Sequence, residues 1–202
     1  MNRLAHLSEE AQGAAPAWIS RLLGRGGVAL ACAWGFAEGA LFFIVPDVLL
    51  SLAALCGGRR ALPHVVAAVI GALLAGAAMF SWSAADYPAA SATVRNVPFV
   101  REEMFARVDA GLEQDGALAL FRGSVTGVPY KIYAVEAPGR LPAALFLAWT
   151  MPARAARFLL VWALFAVLGA WLRRRYPGNW RLLAGVHAVL WVPFYLYYWS
   201  VV

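Results

Sequence analysis

The sequence predicts an all-α integral membrane protein: two re-entrant hairpins in an inverted-repeat arrangement plus three to four transmembrane helices. Three observations carry that expectation. The chain of 202 residues is 62% hydrophobic and only 14% charged, far from the usage of a water-soluble domain. Its apolar segments follow one another with little between them, so they form a single membrane domain, residues 26–202, behind an N-terminal segment, 1–25. Two of the segments are too long or too broken by Pro and Gly for one straight span.

Residues 1–25 read as an interfacial helix, with Leu4, Leu7, Trp18, Leu22 and Leu23 on the lipid side and Arg21 and Arg25 toward head groups. Glu9 and Glu10 precede those arginines, the reverse of a basic leader, so the segment is expected to be retained. Between Arg25 and Arg59 lie 33 residues whose only charges are Glu38 and Asp47. One helix of that length would reach about 50 Å against a hydrocarbon core of about 30 Å. Arginines flank both ends, which places both on the cytoplasmic side, so 26–58 is expected to enter and return around Pro46.

Residues 61–85 carry no acid, Lys or Arg and form a spanning helix, with His64 near its start as a solvated or capping histidine. Residues 86–115 hold three Arg and six acids and form an outer polar segment, amphipathic over Arg101–Glu113. Residues 116–139, broken at Gly123, Gly127 and Pro129, form the second hairpin. In 141–172, Pro142 and Pro152 are expected to divide the run, leaving a helix from about Pro152 that returns to the cytoplasm at Arg173–Arg175. Residues 182–202 are uncharged, and their terminal Trp and Tyr suit an interfacial belt, which puts the C-terminus outside.

The charges inside these segments are the functional signal. Glu38 and Asp47 stand nine apart around Pro46, and Arg122 and Lys131 stand nine apart around Pro129, so one hairpin is acidic and the other basic. An ion in hydrocarbon costs roughly 2.5 to 3.5 kcal/mol on insertion scales, so these groups are expected to pair or to line a wet cavity where the tips meet. A plain reading is an ion network that docks two hairpins. A docking seam needs no charge where small residues pack, however, whereas an anionic or protonatable substrate needs compensating groups near the midplane. Arg157 is therefore expected at the site. Arg154, one turn nearer the outside, either joins it or snorkels out, and Glu136 either partners Lys131 or marks the outer boundary.

Other classes lack a signature. The net charge of +6 comes from basic residues at segment ends, which membrane anchoring explains without nucleic acid. Cys32 and Cys56 sit in apolar sequence, away from His6, His64 and His187, so neither a metal site nor a disulfide is expected. No nucleophile, nucleotide-binding or cofactor motif is present, and no enzyme activity is expected.

The stretch from Phe36 to Leu50, with its acid ahead of a Pro-acid pair, resembles the first signature of the DedA family of SNARE-associated, VTT-domain membrane proteins. Thr126-Gly-Val-Pro-Tyr-Lys-Ile-Tyr133 resembles the second, in the form of the YqaA-like branch, and the likeness covers about Val28 to Ala170. The resemblance implies re-entrant loops and lipid translocation in the bacterial inner membrane, of undecaprenyl phosphate or a phospholipid, tied to the proton-motive force. It also implies Glu38 and Asp47 as essential acids and Arg122, Lys131 and Arg157 as the basic positions. The expected function is a lipid flippase or scramblase whose head-group phosphate meets Arg122, Lys131 and Arg157, with Glu38 and Asp47 gating or carrying protons and Pro46 and Pro129 as hinges. A proton-coupled antiporter of small cations or drugs, and a non-transporting scaffold, are the alternatives. Association into homo-oligomers is compatible with all three.

Overall fold

A computed structural model describes residues 15–201, so Leu4, Leu7, His6, Glu9 and Glu10 lie outside the described residues. All regular structure in that range is helical, in ten α-helices and two short 3-10 turns. In chain order these are α1 (Ala17–Leu23), α2 (Arg25–Ala40), α3 (Asp47–Gly57), α4 (Leu62–Ala85), α5 (Tyr87–Arg95), α6 (Glu102–Asp115), α7 (Ala119–Thr126), α8 (Tyr130–Glu136), α9 (Ala143–Arg175) and α10 (Trp180–Val201).

Three helical stretches are long and apolar enough to cross a membrane: 47–85, Ala143–Arg175 and Trp180–Ser200. The first is interrupted at Gly58, whose φ of 56° only glycine adopts freely, so the continuous part is α4. At 24 residues α4 is about 36 Å long, whereas the 16 residues of α2 give about 24 Å and the 11 of α3 about 17 Å. Neither of the shorter two reaches across a core of about 30 Å. The long helices turn apolar side chains outward: Leu160 and Leu164 are each 61% exposed and Val167 and Val189 each 71%.

Small residues set how the helices meet. A Cβ at Gly35 would collide with the backbone carbonyl of Ala68, and one at Gly71 with that of Cys32, so α2 and α4 touch backbone to backbone. Contacts advance together along both, from Gly27 beside His64 to Gly39 beside Ala75, which makes the two helices parallel. Two parallel helices in sequence require α3 to carry the chain back, and Gly57 at its end lies against Leu23. The returning helix packs chiefly on α9, not on α2. In the second half α7 packs on α9, while α8 packs on α4, with Tyr130 against Gly76 and Ser83 Oγ donating to the Val135 carbonyl at 2.7 Å. Each short pair is thus split, its first helix on the long helix of its own half and its second on that of the other.

The polar segment 86–115 forms two helices. The Asp86 carboxylate caps α5 by accepting from the Ala89 amide at 3.1 Å. The amphipathic α6 buries Phe105, Val108 and Leu112 against Val94, Ile132 and Val135. Arg95 joins the two through a 2.8 Å bond to Glu102, and that guanidinium holds the carboxyl below the usual carboxylate range.

Several expectations are corrected. The helix at 143–175 runs straight through Pro152 and is not divided there; Pro142 caps its start with φ of −61°. Pro152 has no N–H for the Ala148 carbonyl one turn back, a loss tolerated where neighbouring helices pack around the position, and this helix is flanked by α3, α4 and α7. Leu22 and Leu23 pack into the core instead of facing outward, although Trp18 is exposed. His64 is fully buried, its Nε2 2.7 Å from the Leu22 carbonyl, and so ties α4 to α1.

If the backbone contact between α2 and α4 organises the fold, Gly71→Val forces them apart and lowers stability by about 1–3 kcal/mol. Gly26, beside which a Cβ meets open space, is the control: Gly26→Ala leaves stability unchanged or raises it by up to about 1 kcal/mol. Thermal unfolding in detergent micelles reads both, and equal shifts contradict the parallel packing.

Candidate functional site

The two acids sit at the ends of the short helices. Glu38 lies in the last turn of α2 and is 4% exposed; Asp47 opens α3 and is 2% exposed. Their partners come from α9, where Arg154 and Arg157, three residues apart, share one helical face. Arg154 Nη2 pairs with Glu38 Oε2, and Arg157 Nη2 donates to Asp47 Oδ2 at 2.8 Å. The Arg154 guanidinium also lies over the rings of Tyr130 and Phe158, 5.1 and 4.9 Å from their centroids. Lys131, in the first turn of α8 and 2% exposed, forms no ion pair among the described residues. Its Nζ donates to the Phe42 carbonyl at 3.1 Å. Three cations therefore stand with two acids, leaving one positive charge in excess.

Between Ala40 and Asp47 the backbone is not helical, and buried peptide groups there need partners. Side chains distant in sequence supply them. Trp34 Nε1 donates to the Ile44 carbonyl at 2.9 Å, Lys131 to that of Phe42, and the Val45 amide donates to Tyr195 Oη at 3.1 Å. The second break is Gly127-Val128-Pro129: Gly127 ends α7 at φ of 78°, a left-handed conformation suited to glycine, and Pro129 starts α8 with φ of −59°.

The two breaks meet around a cavity of about 180 Å3. Glu38, Lys131, Arg154 and Arg157 form its charged wall, and Phe43, Tyr130 and the α10 aromatics close much of the rest. Trp191, Tyr195 and Tyr198 recur at helical spacing along one face of α10. Phe99, a bulky residue at φ of 70°, packs between Phe43 and Tyr198 with centroids 5.4 and 4.8 Å away. A bulky side chain in that backbone region is a strained outlier held by its surroundings. Tyr130 beside Gly76, and Asp47 beside Arg157, set this cavity near the middle of α4 and of α9.

Of the residues the sequence singled out, Glu38, Asp47, Lys131 and Arg157 come together, with Pro129 in the cavity wall and Pro46 buried at the start of α3. Arg154 is buried among them, not snorkelling outward. Arg122 is not at the site: its side chain is 64% exposed and pairs with Asp115. Nine residues of sequence separation placed it on a different short helix from Lys131, and the break between them turns it away. Glu136 does not partner Lys131 but accepts from Tyr87 Oη at 2.8 Å and pairs with Arg140, at the polar end of α8. An interfacial belt accounts for only part of the α10 aromatics: Tyr197 and Trp199 face outward, but Trp191, Phe194, Tyr195 and Tyr198 line the cavity. Their i, i+4, i+7 spacing was the available signal.

His187 holds α10 to α3. Its Nε2 lies 2.9 Å from the Val48 carbonyl and 3.1 Å from Ser51 Oγ, and Trp191 Nε1 donates to the same hydroxyl at 2.9 Å. A nitrogen facing a carbonyl carries its proton, so His187 Nε2 is a donor here and not a base for Ser51.

Removing one member of a buried pair leaves a buried charge uncompensated. Arg154→Met is expected to cost about 3–5 kcal/mol, and adding Glu38→Gln to recover most of it. Arg122→Ala, by contrast, shifts stability by no more than about 0.5 kcal/mol. Melting of the three variants in one detergent checks this; a large loss for Arg122→Ala contradicts the assignment. Comparison with protein-family models, with curated proteins and with solved structures returned no match for this chain.

Proposed function

We propose that this chain moves a lipid bearing an anionic phosphate head group across the bacterial inner membrane, with the head group entering the cavity between the two helix breaks. One observation carries the reading: a buried, mostly apolar-walled cavity at mid-depth of the long helices holds one cation more than its acids neutralise. A monoanion restores neutrality there, and Lys131, whose bond is to a backbone carbonyl and not to an acid, is the charge it meets. Two buried atoms of the ion pairs, Asp47 Oδ1 and Arg154 Nε, have no hydrogen-bond partner among the described residues, so the cluster retains hydrogen-bonding capacity.

In this reading α2–α3 and α7–α8 are re-entrant hairpins of an inverted repeat, as in the DedA family the sequence resembles. The exchanged packing of the halves supports it, since α3 rests on α9 and α8 on α4. Both hairpin tips stop at mid-depth, and irregular backbone at that level is tolerated only where protein or a cavity covers it. Glu38 and Asp47 bind the head-group cations when the site is empty. A phosphate competes for Arg154 and Arg157; where it arrives as a dianion it brings the cluster to one net negative charge, and a proton taken up by either acid restores neutrality, so a proton and a dianionic lipid phosphate travel together.

Protein reconstituted into vesicles is expected to accelerate exchange of a fluorescent lipid phosphate between leaflets. Lys131→Met lowers the rate at least about tenfold, equivalent to about 1.4 kcal/mol, while Arg122→Ala retains it. Glu38→Gln with Asp47→Asn removes any dependence on the proton gradient. Exchange unaffected by Lys131→Met overturns the site, and ion flux coupled to pH in the absence of lipid phosphate transfers the reading to an antiporter.

A further inference from the structure

An amphiphile whose head lies in the cavity needs a path for its hydrocarbon chain. Toward α10 the cavity is lined by the large rings of Trp191, Phe194, Tyr195 and Tyr198, and toward the α5–α6 connection by Pro98, Phe99 and Val100. The wall at Gly127 and Arg157 is different. Both residues also line a second space, an open groove of about 400 Å3 between α7 and α9, completed by Phe121, Ser124, Ala153, Ala156 and Leu160. Gly127 has no side chain to close the wall, and a Cβ built there would meet nothing within 4 Å. Arg157 is the other element of the wall, a quarter exposed although its partner Asp47 is buried. The groove floor is small, from Ala153 and Ala156, and its rim runs out to Leu160, 61% exposed.

We propose that the groove between α7 and α9 receives the hydrocarbon chain of the same lipid whose anionic head occupies the cavity, with the chain leaving past Gly127 and Arg157. This rests on the reading of the cavity as a head-group site and adds where the rest of the molecule lies. The two spaces share Gly127 and Arg157, and that adjacency identifies the occupant: a chain covalently tied to an anion can fill both at once, whereas an unattached chain or a helix fills only the groove. Transfer of a chain from bilayer to groove yields little hydrophobic gain, because lipid tails are as apolar as the groove. The groove therefore acts by shape, admitting a tailed anion without clash. Small residues on this face of α9, where Leu or Phe would pack equally well against lipid, are what such passage requires.

The test uses the full chain in phosphatidylcholine nanodiscs with two probes, hexadecyl phosphate carrying a diazirine on the chain, and methyl phosphate. Ala156 is exposed, so Ala156→Trp fills the groove without disturbing a core, and Val189→Trp on the outer face of α10 is the control. Hexadecyl phosphate is expected to photolabel groove residues, to be competed off by unlabelled hexadecyl phosphate, and to lose the label in Lys131→Met. Ala156→Trp weakens hexadecyl phosphate binding at least about tenfold with methyl phosphate binding kept, and Val189→Trp changes neither. Equal binding of both probes to Ala156→Trp and wild type, or competed labelling confined to α10, overturns the groove while leaving the cavity reading intact. Failure of wild type to bind either phosphate overturns the cavity reading itself.

Discussion

Between Ala40 and Asp47 the chain leaves the helix inside apolar surroundings, and the peptide groups released there must find partners or cost several kcal/mol each. The rest of the molecule is arranged around meeting that demand. Trp34 answers from α2, Lys131 from α8 and Tyr195 from α10, so one turn fixes three other elements in place. The acids flanking the turn impose a second demand of the same kind, met by two arginines one helical turn apart on α9. The cavity lies where the turn and the Gly127–Pro129 break meet, and it is charged because Lys131 and the acid–arginine pairs stand there.

The segment order was legible because it rests on composition alone. Arginines at 21, 25, 59, 60 and 173–175 punctuate apolar runs, and Pro129 breaks the second apolar stretch as expected, capping the start of α8. Pro152 misled because proline breaks an isolated helix, whereas here the long apolar run continues on both sides and α3, α4 and α7 pack against it. Local sequence does not carry that support.

At the site, burial of Glu38, Asp47 and Lys131 followed from their isolation in apolar sequence. Partner choice did not, since it depends on which helix crosses which. The equal spacing of Glu38–Asp47 and Arg122–Lys131 suggested that the acidic and basic segments pair with each other; instead each acid is matched by α9, outside both short helix pairs. Arg122 is exposed and Lys131 buried because they lie on different short helices, with the Gly127–Pro129 break between them. The contribution of α10 was hidden by chemistry that fits two roles, as Trp and Tyr suit a membrane interface and a cavity wall equally.

Lys131, the excess cation of the buried cluster, is the group we propose to meet a lipid phosphate. Lys131 is the only lysine in the chain, so protein grown with 15Nζ-lysine carries one side-chain amine label. Solid-state NMR measurement of 15N–31P dipolar dephasing at that label, in bilayers containing a saturating lipid phosphate, reads the contact directly. The account predicts dephasing of the lysine amine signal that corresponds to direct ammonium–phosphate contact and is reversed by a competing alkyl phosphate. An undephased signal under the same conditions, with the protein folded, would contradict it.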